Sequence, residues 1–155
     1  MVKNKFISIA KDVINLEIKA LQKLKKNINR SFNDAVIKIA KCQSKVILCG
    51  VGKSGIIASK ISATLSSVGT ASFNLSAGDS SHGDLGSISK KDILILISYS
   101  GQTTELKNII QYANRNKIFL IGIVSKKDSI LYKASDIKLL IPQVKESGNI
   151  VPTSS

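Results

Sequence analysis

Short apolar segments alternate with helical segments along most of this chain, and this alternation restricts the fold more than any other feature. The apolar segments are rich in β-branched residues, whereas the segments between them repeat their apolar residues with a helical period. Strands that alternate with helices pair in parallel through right-handed crossovers. The sequence therefore predicts an α/β fold, a doubly wound three-layer sandwich around a five-stranded parallel sheet. The predicted strands are KVILCG (45–50), ASFNL (71–75), DILILIS (92–98), IFLIGIV (118–124) and the weaker IKLLIP (137–142).

Helices occupy the N-terminal part of the chain before this alternation begins. Apolar residues recur with the period of an amphipathic helix from Phe6 to Ile28. A second helix is predicted from Phe32 to Lys41, with a capping-box-like start at Ser31. We therefore divide the chain into an N-terminal helical segment, residues 1–34, which packs on the domain or on a partner subunit, and a domain at residues 35–155.

The composition argues against several classes of protein. No apolar run reaches the roughly 18 residues that a membrane span needs, and charged residues interrupt the N-terminus too often for a signal peptide. We therefore expect a cytoplasmic protein that does not enter a membrane. Cys42 and Cys49 lack the C-x-x-C spacing of a redox or zinc site, so both are expected to be buried as small apolar residues.

The chain is strongly basic, with a formal net charge of +13. Such a charge is common in nucleic-acid-binding proteins. However, the lysines do not form one compact run, and only 5% of residues are aromatic and able to stack on bases. We expect no nucleic-acid partner, while the positive field would attract a phosphorylated substrate.

A glycine-rich loop, CGVGKSG (49–55), follows the first predicted strand. Its glycines match the G-x-G-x-x-G spacing of dinucleotide-binding loops, but the acidic residue expected at the end of the second strand is missing. A Walker A loop is excluded because its first glycine would fall at Ile47. The loop is therefore predicted to be a tight turn that presents Lys53 and Ser54 to an anion at a helix N-terminus.

Three hydroxyl residues surround one glycine in SYSGQTTEL (98–106), directly after the strand DILILIS. Ser98, Ser100 and Thr103 would lie beside the N–H groups that begin the next helix. A phosphate monoester has three non-bridging oxygens, which such hydroxyl and N–H donors can satisfy. One hydroxyl here would be an ordinary N-cap, but three exceed what capping requires. The loop therefore predicts a phosphate site.

Four motifs together resemble the sugar isomerase (SIS) domain, and within it the arabinose 5-phosphate isomerase branch. They are GVGKSG, SAGDSSHGDLG, SYSGQTTEL and VPTSS, and the similarity covers about residues 35–155. The family pattern S-x-S-G-x-T-x-E-L is met at 98–106. The resemblance implies a flavodoxin-like fold. It also implies an enzyme that interconverts D-ribulose 5-phosphate and D-arabinose 5-phosphate through an enediol, for synthesis of the lipopolysaccharide precursor Kdo. It also implies a homo-oligomer, dimer or tetramer, that uses no cofactor.

The resemblance also assigns roles to individual residues by their position. Lys53, Glu105 and Glu146 match residues of the family's catalytic centre. Each also has a structural alternative. Glu105 could be an acid favoured near a helix start, Lys53 could be one surface lysine among many, and Glu146 precedes a segment that departs from the family pattern. His82 could likewise be a hydrogen-bonded structural residue. The substrate-binding positions are Ser54, Gly69, Thr70, His82, Ser98, Ser100, Gln102 and Thr103.

Several positions depart from the family pattern. Ser76 stands where the branch commonly has a histidine linked to metal binding, so we expect no metal site. Asp79 replaces a glutamate, and Gln102 replaces an acid beside the predicted phosphate. The stretch from Glu146 to Pro152 is shorter than the pattern. The sequence ends at Ser155, before a further helix and a catalytic histidine of the family.

Three functions stay open on the sequence. The first is a working arabinose 5-phosphate isomerase, and the second is a phosphosugar-binding module without turnover, which the missing histidine suggests. The third is a basic nucleic-acid protein. The domain at 35–155 is expected to be C-terminally incomplete and to lack the regulatory CBS domains, so that a partner chain covers the last apolar face or the sequence is an incomplete copy.

Overall fold

The fold is known from a computed structural model, which describes residues 3–78 and 84–144. The described residues fall into two compact units: residues 3–29 with 142–144, and residues 30–141. The predicted division between residues 34 and 35 stays a prediction. None of the described helices is both long enough and apolar enough to cross a membrane.

The first unit contains one long helix, α1, and the second contains the alternating elements. In the second unit the five predicted strands and the helix predicted at 32–41 are found within about two residues of their expected ends, which is the usual uncertainty of such boundaries. The elements are α1 (Lys3–Asn27), α2 (Arg30–Ala40), β1 (Val46–Gly50), α3 (Lys53–Ser67), β2 (Ser72–Ser76), β3 (Ile93–Ile97), α4 (Leu106–Asn116), β4 (Phe119–Val124), α5 (Ile130–Ala134) and β5 (Ile137–Leu140).

The five strands form one parallel sheet in the order β2-β1-β3-β4-β5. This is the flavodoxin-like order, so the predicted fold class is confirmed. Gly50 at the end of β1 pairs with Ser76 on one side and with Ile97 on the other. The carboxyl ends of the three strands are therefore level, and the loops that follow them leave from one edge.

Helices cover both faces of the sheet. Successive residues of a strand point to opposite faces, so each buried strand contributes to two cores. On one face, Leu94 and Leu96 of β3 pack in a cluster with residues of α4 and α5 such as Ile109. On the other face, Ile95 packs with residues of α2 and α3 such as Ala58. The result is the predicted three-layer sandwich.

The predicted start of the second helix, Phe32, was wrong by two residues. The helix begins at Arg30, so Ser31 lies inside its first turn and does not precede it as a cap. Arg30 and Asp34 lie one helical turn apart within it, with 3.8 Å between Nε and Oδ2. Helix α3 ends shortly before Gly69, and the Thr70 N–H donates to the Leu65 carbonyl at 2.9 Å.

A buried carboxylate connects the start of β3 to the start of β1. Asp92 is only 1% exposed, and its oxygens accept hydrogen bonds from Ser44 Oγ (2.6 Å), Ser89 N (2.7 Å) and Lys45 Nζ (2.9 Å). Burial alone would raise the pKa of this carboxyl group, but the donors outweigh burial and lower the pKa from 3.8 to about 2.

Acid should therefore destabilise the protein through Asp92. The pKa of Asp92 is lower in the folded state, so its carboxylate contributes fully to stability above pH 3.8. This contribution is lost as the pH falls toward about 2. The difference corresponds to about 2–3 kcal/mol in the free energy of unfolding. We expect Asp92→Asn to lose about this amount at neutral pH and to flatten the pH dependence of urea unfolding below pH 4.

Asp34→Asn is the matched control for this prediction, because the Asp34 side chain is 47% exposed in its pair with Arg30. Exposed pairs of this kind contribute little to stability. An Asp92→Asn variant with the stability and pH profile of the control would contradict the role given to Asp92.

Candidate functional site

The loops that follow β1 and β3 lie side by side at one edge of the sheet. These two strands are neighbours, but α3 after β1 packs on one face of the sheet and α4 after β3 packs on the other. In open parallel sheets, ligands bind where consecutive connections diverge in this way, outside the carboxyl ends of the strands. The structure therefore brings the two predicted anion-binding loops to one edge of the sheet, on adjacent strands.

The glycines of the first loop allow β1 and α3 to approach each other closely. A Cβ atom on Gly50 would lie 2.7 Å from the carbonyl of Ser54, and one on Gly55 would lie 2.9 Å from the carbonyl oxygen of Gly50. Gly52 has a φ of 59°, which favours glycine. This turn explains the glycine spacing without a nucleotide. It makes Lys53 an exposed first residue of α3, followed by the half-buried Ser54.

The second loop is organised from within by Ser98. This side chain is 3% exposed, and its Oγ accepts a hydrogen bond from the N–H of Gly101 at 3.0 Å. It also lies 2.7 Å from Thr103 Oγ1. One of the two hydroxyls donates to the other, so one O–H of this pair remains available, and Thr103 is the more exposed partner. The structure thus places Ser98 inside the loop, and its direct contact with phosphate stays a prediction.

The surface of the second loop offers a group of hydrogen-bond donors. Ser100 Oγ accepts from the N–H of Gln102 at 3.2 Å and keeps its own proton to donate. The N–H groups of Thr103, Thr104 and Glu105 have no acceptor within the described part of the chain. Successive N–H groups ahead of a helix form a concave site suited to an anion. The loop can therefore surround a phosphate without a buried countercharge.

Glu105 lies between these donors and helix α4. Its side chain is exposed and makes no capping hydrogen bond to the helix. Helix capping therefore does not account for this glutamate, and its carboxylate is accessible beside the donors. Gln102 is also exposed, so an amide stands at the position where the family pattern has an acid.

A third loop, which sequence analysis did not identify, supports the second. Ser125, directly after β4, donates to the carbonyl of Tyr99 through its N–H (3.0 Å) and its Oγ (2.7 Å). The N–H of Leu131 donates to the carbonyl of Gly101 at 3.1 Å, and the buried Ser129 packs against Gly101. The polar residues in the stretch VSKKDS after β4 were the available signal. These contacts fix the shape of the phosphate loop.

Not all predicted site residues lie at this edge. Gly69 and Thr70 come after α3 and before β2, so they lie at the amino edge of the sheet, away from the phosphate loop of the same chain. Their contact with substrate stays a prediction that would need a second chain. His82 and Glu146 lie outside the described residues. Within residues 3–78 and 84–144, no group of three or more His, Cys, Asp or Glu is placed to hold a metal ion.

The two cysteines are free thiols. Cys49, directly before the first loop, is fully buried, and burial raises the pKa of its thiol to about 12. The predicted apolar role is confirmed for this residue, and a thiol with such a pKa is a poor nucleophile at neutral pH. Cys42 is only half-buried, so the expectation of full burial was wrong there.

Comparisons with known proteins agree with this architecture. The family model described as SIS domain matches residues 38–155. The chain is 42% identical over 153 residues to the uncharacterized protein RP505 of Rickettsia prowazekii, covering 98% of this chain and 48% of that protein. It is 41% identical over 152 residues to arabinose 5-phosphate isomerase KdsD of Yersinia pestis, covering 97% and 46%. The chain thus spans about half the length of these relatives.

A solved structure shows the same fold with a ligand. The E. coli CFT073 protein c3406, in complex with arabinose 5-phosphate, superimposes with a TM-score of 0.89 and 35% sequence identity. The match covers 97% of this chain and 80% of that one. Together with the matched family model and the two loops at the sheet edge, this similarity establishes that the chain belongs to the SIS domain family.

Proposed function

We propose that this chain is a phosphosugar isomerase that interconverts D-ribulose 5-phosphate and D-arabinose 5-phosphate. The observation that carries the proposal is the donor group at the end of β3, where hydroxyls and N–H groups that have no acceptor among the described residues lie beside an accessible carboxylate. The relatives named arabinose 5-phosphate isomerase and the solved structure with arabinose 5-phosphate support the choice of sugar.

The residues of the two loops divide the work of the reaction. Ser100, Thr103 and the following N–H groups hold the phosphate and thereby fix the sugar between the two loops. A carboxylate then takes the proton from C1 and returns it to C2 through an enediol, while a second proton moves from O1 to O2, so that the ketose and the aldose contain the same atoms. Glu105 is our candidate for this carboxylate. Lys53 on the opposite loop would stabilise negative charge on O1 and O2 as the enediol forms.

Loss of a phosphate donor should weaken substrate binding. We expect Ser100→Ala and Thr103→Ala each to raise the KM for D-ribulose 5-phosphate by about 10- to 100-fold, because each removes a hydrogen bond to a charged group worth about 1.5–3 kcal/mol. Formation of the aldose phosphate from a panel of ketose phosphates provides the measurement and tests the sugar length. Thr104→Ala is the control, since this exposed threonine lies in the same loop but outside the family pattern. A KM that rises equally in the control would refute the assignment.

We also propose that the chain forms a homo-oligomer through α1. Several large apolar side chains of this helix are exposed, including Phe6 (68%), Leu21 (65%) and Ile14 (59%). An apolar surface of this kind is typical of an interface. Light scattering should give the mass of a dimer or tetramer, and Ile14→Lys with Leu21→Lys should reduce it to that of one chain. A wild-type chain that is monomeric at high concentration would contradict this proposal.

A further inference from the structure

A cavity lies at the amino edge of the sheet, opposite the phosphate loop. Its volume is about 430 Å³, within the range of small-molecule sites. The strands between the two edges have up to six residues, so the two sites are separated by roughly 15 Å. The cavity is lined by Lys38, Lys90, Ala113, Asn114, Lys117, Ile118, Phe119 and Asp136.

Three lysines from separate elements converge on this cavity. Lys38 belongs to α2, Lys90 precedes β3, and Lys117 follows α4. Among the described residues, no carboxylate lies within ion-pair distance of any of the three. Asp136 is the only acid in the lining, and its Oδ2 already accepts a hydrogen bond from the N–H of Leu120 at 2.8 Å. The cavity therefore has an excess of two positive charges.

The fold fixes the positions of these groups. Lys117 has a left-handed backbone with a φ of 55°, held where α4 ends and β4 begins by the hydrogen bond from Ile118 N to Ala113 O at 2.9 Å. The ammonium group of Lys38 lies 4.3 Å from the centre of the Phe119 ring, a cation–π distance. Ala113 and Ile118 lie buried beneath this surface and hold its base in place, while Phe119 is half-buried. Cationic and aromatic groups thus share one concave surface.

We propose that the amino-edge cavity binds a small organic phosphate that carries at least two negative charges and a ring. The lysines would pair with the phosphate oxygens. Lys38 would leave the Phe119 ring to do so, and the ring of the ligand would take its place on Phe119, beside the Asn114 amide. This site is separate from the phosphosugar site and does not depend on the function proposed for it.

ATP without divalent cations is a suitable probe, and its binding can be followed by calorimetry in the presence of saturating D-arabinose 5-phosphate. The test variant is Lys38→Gln with Lys117→Asn, because asparagine tolerates the left-handed backbone at residue 117. The control variant is Lys60→Gln with Lys133→Gln, two exposed lysines of α3 and α5 that lie outside the cavity lining. Both variants lose the same net charge.

We expect the test variant to bind ATP at least about 10-fold more weakly than wild type, the control to change by less than about 2-fold, and both to retain isomerase activity. Lys90→Gln should also weaken ATP binding, and it replaces the double variant as the test if the double variant does not fold. Equal losses in test and control would overturn the proposal, as would displacement of ATP by D-arabinose 5-phosphate or the absence of ATP binding. Tripolyphosphate that binds as tightly as ATP would overturn the part assigned to the ring.

Discussion

Glu105→Gln should abolish isomerisation while D-arabinose 5-phosphate still binds. The amide has nearly the shape of the carboxylate but cannot accept a proton from carbon, and loss of a general base costs about 100- to 10,000-fold in rate. The phosphate donors do not depend on this side chain, because Glu105 contributes its N–H to the loop and its carboxylate makes no capping bond to α4. We therefore expect a large fall in kcat with a Kd for the sugar phosphate within about 3-fold of wild type.

The matched control is Asp128→Asn, which removes an exposed carboxylate from the loop after β4, at the same edge of the sheet. It should leave both kcat and the Kd unchanged. A Glu105→Gln enzyme with more than about a tenth of wild-type kcat would refute the proposed role. So would a loss of binding that parallels the loss of rate, because Glu105 would then be a binding residue.

Gly101→Ala should remove phosphosugar binding and destabilise the domain. The φ of 65° at this residue strains any side chain, at a cost of about 1–3 kcal/mol. The added methyl group would also overlap Ser129 Oγ and lie 3.3 Å from Val124 Cγ1. Overpacking of this kind costs a further 1–3 kcal/mol or so. The loop must shift to relieve the overlap, and this shift moves the donors that hold the phosphate.

A double-mutant cycle separates the two causes. Ser129→Gly removes the overlapping side chain, and glycine is tolerated at the N-cap of α5 with a loss of only a few tenths of a kcal/mol. Gly101→Ala combined with Ser129→Gly should therefore regain part of the stability and binding that Gly101→Ala loses. Thermal unfolding and calorimetric titration with D-arabinose 5-phosphate measure both quantities. Strictly additive effects, or a Gly101→Ala variant that binds normally, would contradict the packing described for this loop.

Much of the fold could be predicted because its signals are local. Apolar runs such as DILILIS lie between segments with a helical period. A strand that is buried on both faces is apolar along its whole length, so it can be recognised from a short stretch of sequence alone. The phosphate loop was likewise readable from its composition. The helix start at Arg30 was missed because Asn29 and Ser31 are both residue types favoured at an N-cap, and only Ser31 is followed by an acid three residues later.

The rest could not be predicted because it depends on which segments the fold brings together. Ser98 and Ser100 are equivalent in the sequence, but the first is buried in the loop and the second is on its surface. The contact of Ser129 with Gly101 joins residues far apart in the chain. In the same way, Lys38 and Lys117 appear in the sequence as two lysines among many and meet only at the amino edge of the sheet.

The central claim is that this chain carries a working isomerase site, and proton NMR in heavy water tests it most directly. The purified protein is incubated with D-arabinose 5-phosphate, and the spectra follow both the C2 proton and the appearance of the ketose. An enediol route predicts ketose formation together with loss of the C2 proton signal to solvent deuterium. A folded protein that the sugar phosphate stabilises against heat, but that gives neither ketose nor exchange, would contradict the claim and identify a phosphosugar-binding module without turnover.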